Sequence, residues 1–199
     1  MIKLSILICS IPERILMRIK LIKEFQSQAL TYLGQVEILV DDRPKLTVSI
    51  GKKRQSLLEN AKGEWIVFFD DDDLPNEFYV KYIMDAIVNH QDIDCIGIRG
   101  KMTTDGVKPQ TWCHRLGFPI FGDGKKITKW GYDYVRPIIH FNPVKRDIAL
   151  LSGFNDIGFG EDMDYAKRLN PILRKEFFID KELFHYRFQT PKNTGKYGK

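Results

Sequence analysis

The sequence predicts an α/β fold: a Rossmann-like, mostly parallel sheet flanked by helices, with a small antiparallel portion in the second half. Over about residues 1–100, short apolar runs alternate with segments of helical spacing, a pattern typical of parallel strands joined by helices. The second half contains the dipeptides Asp105-Gly106 and Asp123-Gly124, which favour hairpin turns between antiparallel strands. Two of the early apolar runs end on acidic residues, at the position where open α/β sheets bind their ligands.

The first half gives four strands and three helices. The strands are predicted at residues 3–8, 36–40, 65–69 and 94–98. Ser10 and Glu13 form a capping box for the first helix, whose apolar face comprises Ile15, Leu16, Ile19, Ile22 and Phe25. The second helix covers residues 53–61 and stops at Gly63. The third helix opens at Pro75, and its apolar face comprises Phe78, Tyr82, Ile83 and Ile87.

The second half predicts shorter elements. Strands are expected within residues 111–118 and at 136–141, 177–179 and 183–188, and helices at 143–151 and 162–169. Residues 1–189 are predicted to form one domain. Residues 190–199 contain Pro, Gly and lysines but little to bury, which predicts a flexible basic tail.

The composition is that of a globular chain, with 43% apolar and 12% aromatic residues. The net charge of +5 favours anionic partners such as nucleotide phosphates, nucleic acid or anionic lipid, although a solvated lysine-rich surface explains it equally well. No apolar run reaches the roughly 20 residues that cross a bilayer. Three widely spaced cysteines without C-x-x-C spacing argue against disulfides and zinc. We therefore expect a cytoplasmic protein, free or peripheral to a membrane.

The stretch FFDDDDLP places four carboxylates, Asp70 to Asp73, directly after an apolar run. Adjacent carboxylates repel each other unless a metal ion, a basic partner or water compensates their charge. Asp41 and Asp42 follow the preceding strand, so both clusters are expected in one crevice at the carboxyl ends of the sheet. Carboxylate oxygens suit Mg²⁺ or Mn²⁺, and the basic run at residues 52–54 could bind phosphates of the same ligand. A solvated acidic loop that caps the next helix is the alternative.

Five stretches, in order along the chain, resemble the family-2 nucleotide-sugar glycosyltransferases of the GT-A fold. They are ILICSIPER, EILVDDRP, KKRQSLLENAKGEWIVFFDDDDLP, GFGEDMDYAKRL and FHYRF. Each stretch alone is weak, but their order and spacing over most of the chain carry the resemblance. Two features depart from the family pattern: Gln55 stands where Asn is usual, and the turn after the first strand differs.

The resemblance implies a metal-dependent, inverting transferase that moves a sugar from a nucleotide sugar, expected to be a UDP-sugar, to an acceptor hydroxyl. The acceptor would be a glycan, a lipid-linked glycan or a modified DNA base. Residues 1–100 would bind the donor and residues 101–189 the acceptor. The implied donor contacts are Ser10, Arg14, Asp41, Asp42, Arg54, Asp70 and Asp71, and the implied ligands of Mn²⁺ or Mg²⁺ are Asp70, Asp72, Asp73 and His185. Asp162 would be the general base, with Glu161 supporting it.

Two other functions remain open. A haloacid-dehalogenase-like phosphohydrolase also has D-x-D after an apolar strand, usually the first, and needs Thr or Val where this chain has Leu74 or Pro75. A non-enzymatic nucleic-acid-binding module would explain the positive charge. Outside the motifs, His140 is expected to be an ordinary strand histidine, and Lys52 and Lys53 are expected to be solvated.

Overall fold

The computed structural model describes residues 1–119 and 130–190, which form a mixed α/β fold around one nine-stranded sheet. The helices are α1 (Ile15–Ala29), α2 (Ile50–Asn60), α3 (Tyr79–Asn89), α4 (Arg146–Ser152) and α5 (Glu161–Leu169). The strands are β1 (Leu4–Cys9), β2 (Val36–Asp41), β3 (Trp65–Asp70), β4 (Leu74–Pro75), β5 (Cys95–Thr104), β6 (Val107–His114), β7 (Tyr134–Arg136), β8 (Val144–Lys145) and β9 (Glu176–Phe188). The expected turn at Asp123-Gly124 and the expected tail from residue 191 onward lie outside the described residues. In the described part of the chain, no helix is both long enough and apolar enough to cross a membrane.

The three strands β2, β1 and β3 are parallel and form the part of the sheet that positions the site. β1 lies between the other two, and Cys9 at its end is level with Asp41 on one side and Asp70 on the other. Alternate residues of β1 and β3 face two apolar cores, one mainly under α1 and α3 and the other mainly under α2, α4 and α5. Burial on both faces explains why these strands are continuous apolar runs. The acidic residues after β2 and β3 therefore lie at the same edge of the sheet.

The second half of the chain supplies antiparallel pairs, as expected, in β3-β8, β5-β8, β5-β6 and β4-β9, whereas β9 runs parallel to β5 and β7 runs parallel to β6. The order is β2-β1-β3-β8-β5-β6-β7, and β9 pairs with both β4 and β5. The hairpin β5-β6 turns at Asp105 and Gly106, whose φ angles of 51° and 81° are those that a tight hairpin turn needs. Asp105 also accepts hydrogen bonds from the N–H and hydroxyl of Thr190, so the chain is still held at residue 190. The two expected late strands are one strand, β9.

The apolar face expected for α1 is wrong at its beginning. Leu16 is 79% exposed, and Ile15 and Ile19 are also exposed, whereas Leu21 and Phe25 are buried. Helical spacing alone did not distinguish the two faces, because apolar residues occur on both. The helix packs into the core through its second half.

Two elements near the middle of the chain differ from the expected strand at 136–141 and helix at 143–151. Pro137 and Pro143 have no N–H to donate to a strand ladder, and residues 137–143 form turns instead. The chain then adds the short strand β8, and α4 begins after it. The turn between the prolines brings His140 next to β3, where its carbonyl accepts the N–H of Phe68 at 3.1 Å.

Candidate functional site

A cavity of about 520 Å³ lies beside the acid run at the carboxyl ends of β1 and β3. Its polar lining includes Ser10, Arg14, Lys53, Arg54, Asp70, Asp71, Asp72 and Arg187. A second cavity of about 310 Å³ adjoins it and shares five lining residues: Ile50, Arg54, Asp70, Gly158 and Tyr186. The second cavity adds His140, Phe159, Glu161 and Asp162. The structure therefore places the acid run and the beginning of α5 around one continuous recess.

Arg54 joins these two acidic regions. It is only 3% exposed, and its Nη2 lies 3.3 Å from Asp70 Oδ1 and 3.4 Å from Glu161 Oε1. Burial alone would raise the pKa of Asp70, but the charge of Arg54 favours the carboxylate, and the pKa lies at about 2. Asp70 is therefore ionised at neutral pH.

Arg14 and Ser10 hold the next two carboxylates. Arg14 Nη1 lies 2.8 Å from Asp71 Oδ1 and 3.0 Å from Asp72 Oδ2. Ser10 does not cap a helix, because Ile11 precedes the short 3₁₀ turn Pro12–Arg14 and no side chain caps that turn. Its hydroxyl instead donates to Asp71 Oδ2 at 2.6 Å. The expected capping box is wrong because a carboxylate from a distant part of the chain binds the serine.

Lys53 is buried, contrary to the expectation that it is solvated. The residue is 2% exposed, and its Nζ donates to the carbonyl of Ser10 at 2.6 Å. Lys52 follows the expectation, because its side chain is 61% exposed. Lys53 therefore contributes its charge inside the recess, whereas Lys52 lies outside it.

The protein compensates the negative charge of Asp72 and Asp73 less completely than that of Asp70. Burial and the neighbouring carboxylates raise the pKa of Asp72, and they raise that of Asp73 well above its ordinary value. Asp73 is 1% exposed; its Oδ1 accepts the backbone N–H of Arg187 at 2.7 Å. Its Oδ2 has no hydrogen-bond partner among the described residues. An added cation would therefore lower the electrostatic free energy at this end of the run.

The acids after β2 share the sheet edge but are engaged elsewhere. Asp41 accepts hydrogen bonds from its neighbour Arg43, and Asp42 pairs with Arg18 at 2.7 Å. Neither aspartate is among the residues that line the two cavities. The two clusters lie at the same edge of the sheet, as expected, but the prediction that they share one crevice is wrong, because the recess is built around the later cluster.

His185 does not join the acid run in this structure. It lies on β9 opposite Leu74, and its Nε2 is 2.9 Å from Thr103 Oγ1. The next residues, Tyr186 and Arg187, line the larger cavity instead. These two were not assigned from the sequence, although both lie within the FHYRF stretch.

The start of α5 places Asp162 in the smaller cavity. Gly160 precedes the helix with φ of 80°, a conformation that favours glycine. Asp162 follows in the first turn of the helix. Phe159, which is 96% exposed, forms part of the same lining. The lining thus combines a carboxylate with an exposed aromatic ring.

The loop before α5 packs in close contact with the first turn of α2. Gly51 N donates to Ile157 O at 3.1 Å, and a Cβ on Gly51 would lie 2.0 Å from Asn155 O. Ser49 Oγ caps α2 and lies against Asp156. This docking explains why α2 begins before residue 53 and how the loop that carries Asp162 keeps its position.

Gln55, which stands where the family pattern has Asn, contacts the loop before α5. Gln55 accepts the N–H of Phe154 through Oε1 at 2.7 Å, so the glutamine holds the loop before α5 in place.

His140 is 3% exposed and lies in a turn, not in a strand as expected. Neither ring nitrogen has a hydrogen-bond partner in the described residues, and Nε2 is 3.9 Å from Asp70 Oδ2. Burial, together with the charge of Arg54, lowers the pKa of His140.

The acid run has suitable chemistry for Mg²⁺ or Mn²⁺. Across residues 1–119 and 130–190, no three His, Cys, Asp or Glu side chains form a complete ligand set. Mg²⁺ is nevertheless commonly held by one or two carboxylates together with phosphate oxygens. Asp70 and Asp72 both line the larger cavity and supply hard oxygen donors. The residues present therefore fit a cation that binds together with a phosphorylated ligand.

Neither a protein-family model nor a curated protein matches this sequence. Solved structures do match. The fold resembles S. aureus TarS residues 1–349 in complex with UDP-GlcNAc, with a TM-score of 0.63 and 13% identity over 96% of this chain and 60% of that one. The same fragment in complex with UDP gives a TM-score of 0.61 at 13% identity, over 94% of this chain and 60% of that one. The chain thus spans 60% of the length of these TarS fragments.

The catalytic domain of Drosophila beta1,4galactosyltransferase 7, in complex with xylobiose, is also similar. Its TM-score is 0.55 at 13% identity, and the match covers 92% of this chain and 70% of that one. The common feature of these structures is the α/β fold of GT-A glycosyltransferases. The fold class expected from the sequence is therefore confirmed.

Proposed function

We propose that this protein is a glycosyltransferase that moves a sugar from a UDP-sugar to an acceptor hydroxyl with inversion at the anomeric carbon. The observation that carries the proposal is the bridge through Arg54, which holds Asp70 of the acid run and Glu161 of α5 on two sides of one recess. The structures of TarS with UDP-GlcNAc and UDP support this choice of donor.

In this proposal the larger cavity binds the nucleoside diphosphate. Arg14, Lys53 and Arg187 contribute positive charge around it, and arginine in particular pairs with phosphate oxygens. A divalent cation, Mn²⁺ or Mg²⁺, would be held by Asp72 and Asp70 and would stabilise negative charge on the departing diphosphate. The acid run thus orients the donor through the bound cation, and the basic side chains compensate the negative charge of the diphosphate.

The smaller cavity receives the acceptor. Asp162 accepts the proton of the acceptor hydroxyl as that oxygen attacks the anomeric carbon. Glu161, held by Arg54 at 3.4 Å, fixes the first turn of α5 and therefore the position of Asp162. A single displacement from the face opposite the diphosphate inverts the anomeric centre, by analogy with inverting glycosidases. The acceptor is proposed to be a glycan, a lipid-linked glycan or a modified DNA base.

The first test is thermal stabilisation by UDP or GDP in the presence of Mn²⁺, Mg²⁺ or EDTA. We expect UDP with metal to raise the melting temperature of the wild type and of Asp85→Ala, a control on α3 that pairs with Lys81 and lies outside both cavities. Asp72→Ala should lose the metal-dependent shift. Asp162→Asn should keep it but fail to release UDP from a UDP-sugar when acceptors are supplied.

Three results would contradict the proposal. The first is the absence of any shift with either nucleotide, with or without metal. The second is release of phosphate from simple phosphoesters, which would favour a phosphohydrolase. The third is salt-dependent DNA binding that survives Asp72→Ala without nucleotide binding, which would favour a nucleic-acid-binding module.

A further inference from the structure

The Asp72 carboxylate forms its described ion pair with an arginine of the same chain, Arg14, whereas Arg187 donates through Nε to the backbone carbonyl of Asp72. Arg14 Nη1 lies 3.0 Å from Asp72 Oδ2 and 2.8 Å from Asp71 Oδ1. Arg14 ends the short turn Pro12–Arg14, and α1 begins at the next residue, so its backbone is held at the mouth of the larger cavity. Its side chain remains 31% exposed and therefore has room to move.

The partners of the other acids show why Asp72 is the exchangeable member of the run. Asp70 is paired with the buried Arg54, and Asp71 has a second donor in Ser10. Asp71 and Asp72 each have one described ion pair, and both pairs are with Arg14, but the described contacts give the Asp72 carboxylate no second side-chain donor. When Arg14 turns away, Asp71 keeps a partner, whereas Asp72 becomes available to another cation.

We propose that Arg14 occupies the place of the divalent cation beside Asp72 until a nucleoside diphosphate arrives, so that cation and nucleotide bind cooperatively. This inference rests on the proposed function, because the same cavity must accept the diphosphate. A guanidinium group and a divalent cation repel each other when both contact one carboxylate. The diphosphate gives Arg14 a new anionic partner with suitable bidentate geometry. Asp72 then becomes free to bind the cation, and the coupling between the two ligands is reciprocal.

The test is a titration of the full chain with Mn²⁺, in which free Mn²⁺ is measured by electron paramagnetic resonance with and without UDP. The informative variant is Arg14→Gln. Arg18→Gln is the matched control, because Arg18 lies on α1, pairs with Asp42 at 2.7 Å and is outside both cavities. Arg14→Lys keeps the charge, and thermal melting confirms that each variant is folded.

We expect wild type and Arg18→Gln to bind Mn²⁺ weakly alone and at least about tenfold more tightly with UDP. Arg14→Gln should bind Mn²⁺ without UDP about tenfold more tightly than wild type, because a competing charge has been removed. UDP should add much less to its affinity, and Arg14→Lys should lie between the two. Unchanged or weaker Mn²⁺ binding by folded Arg14→Gln would overturn the proposal. Equally tight Mn²⁺ binding by wild type with and without UDP would also overturn it.

The titration separates this inference from the proposed function. The comparison of Mn²⁺ affinities without UDP needs no nucleotide. If wild type is stabilised by UDP with Mn²⁺ but Arg14→Gln shows no gain in Mn²⁺ affinity, the transferase proposal stands and the role of Arg14 is refuted. If Arg14→Gln gains Mn²⁺ affinity but no form binds UDP, the competition is supported, while the proposed function and the coupling fail.

Discussion

Replacing Arg54 with methionine should reveal how strongly its buried guanidinium group stabilises the fold. Methionine keeps most of the side-chain volume but removes the charge that lies 3.3 Å from Asp70 and 3.4 Å from Glu161. Removing one partner of a buried ion pair typically costs about 3–5 kcal/mol, because the other charge remains buried and unpaired.

The structure favours the lower end of this range. The Asp70 side chain is 29% exposed, so water compensates part of its charge. In addition, Arg54 Nε and Nη1 have no hydrogen-bond partners in the described residues, so their removal relieves a cost. We therefore expect Arg54→Met to lower the free energy of unfolding by about 3 kcal/mol.

Urea unfolding at pH 7.5 in EDTA, followed by tryptophan fluorescence, measures this loss. Lys52→Met is the matched control, because Lys52 is exposed and lies 4.0 Å from Asp156; its loss should stay below about 0.5 kcal/mol. The double variant Arg54→Met/Glu161→Gln should lose about 1 kcal/mol less free energy of unfolding than the sum of the two single variants, since one unpaired charge is then absent. A loss for Arg54→Met no larger than that of the control would refute the proposed role of the bridge.

Two further predictions follow from the packing and the charges. Gly51→Ala should lower the free energy of unfolding in urea by about 1–3 kcal/mol, because its Cβ would lie 2.0 Å from a backbone carbonyl of the loop before α5. Gly158→Ala, whose Cβ would have no atom within 4 Å, should be nearly neutral, and equal losses for the two variants would contradict this packing. Asp73→Asn should raise the melting temperature in EDTA at pH 7.5. The folded-state pKa of Asp73 is raised, mainly by burial, so its contribution to stability falls as the pH rises from about 4 through that pKa. The advantage of Asn should therefore disappear near pH 4, and an advantage that is the same at both pH values would exclude titration as its cause.

The sequence predicts the central strands well because burial on both faces leaves an unmistakable signal. β1 and β3 are continuous apolar runs, and their ends fix the edge at which the acid run lies. The sequence predicts two strands where the structure has the single strand β9, because Asp180, Lys181 and Glu182 resemble a turn. In the structure they remain in the strand, and the register with β5 shifts near Arg99 to accommodate them. A local irregularity of this kind depends on the pairing partner, which the local sequence does not specify.

The candidate site was harder to predict for the same physical reason. Its residue types and strand-end positions were evident, but the partners of each carboxylate come from distant segments. Ser10 matches a local capping pattern but binds Asp71 instead. The sequence around Lys53 indicates a solvated lysine, but in the structure its ammonium group is buried and donates to the carbonyl of Ser10. Such long-range contacts compete with local preferences and often prevail where charge is buried.

The counter-charges explain how three of the four adjacent carboxylates are compatible with a folded chain. Arg54 compensates Asp70 from α2, and Arg14 compensates Asp71 and Asp72 from the turn before α1. Because these cations come from two separate segments, folding of both segments is needed before the acid run becomes favourable. The protein can therefore hold the site in place before a ligand binds. In the proposed exchange, a diphosphate that attracts Arg14 removes a counter-charge from Asp71 and Asp72 together, and Asp71 keeps the hydrogen bond from Ser10. On this argument, the run is an assembled electrostatic site in which Arg54 supplies the fixed part and Arg14 the exchangeable part.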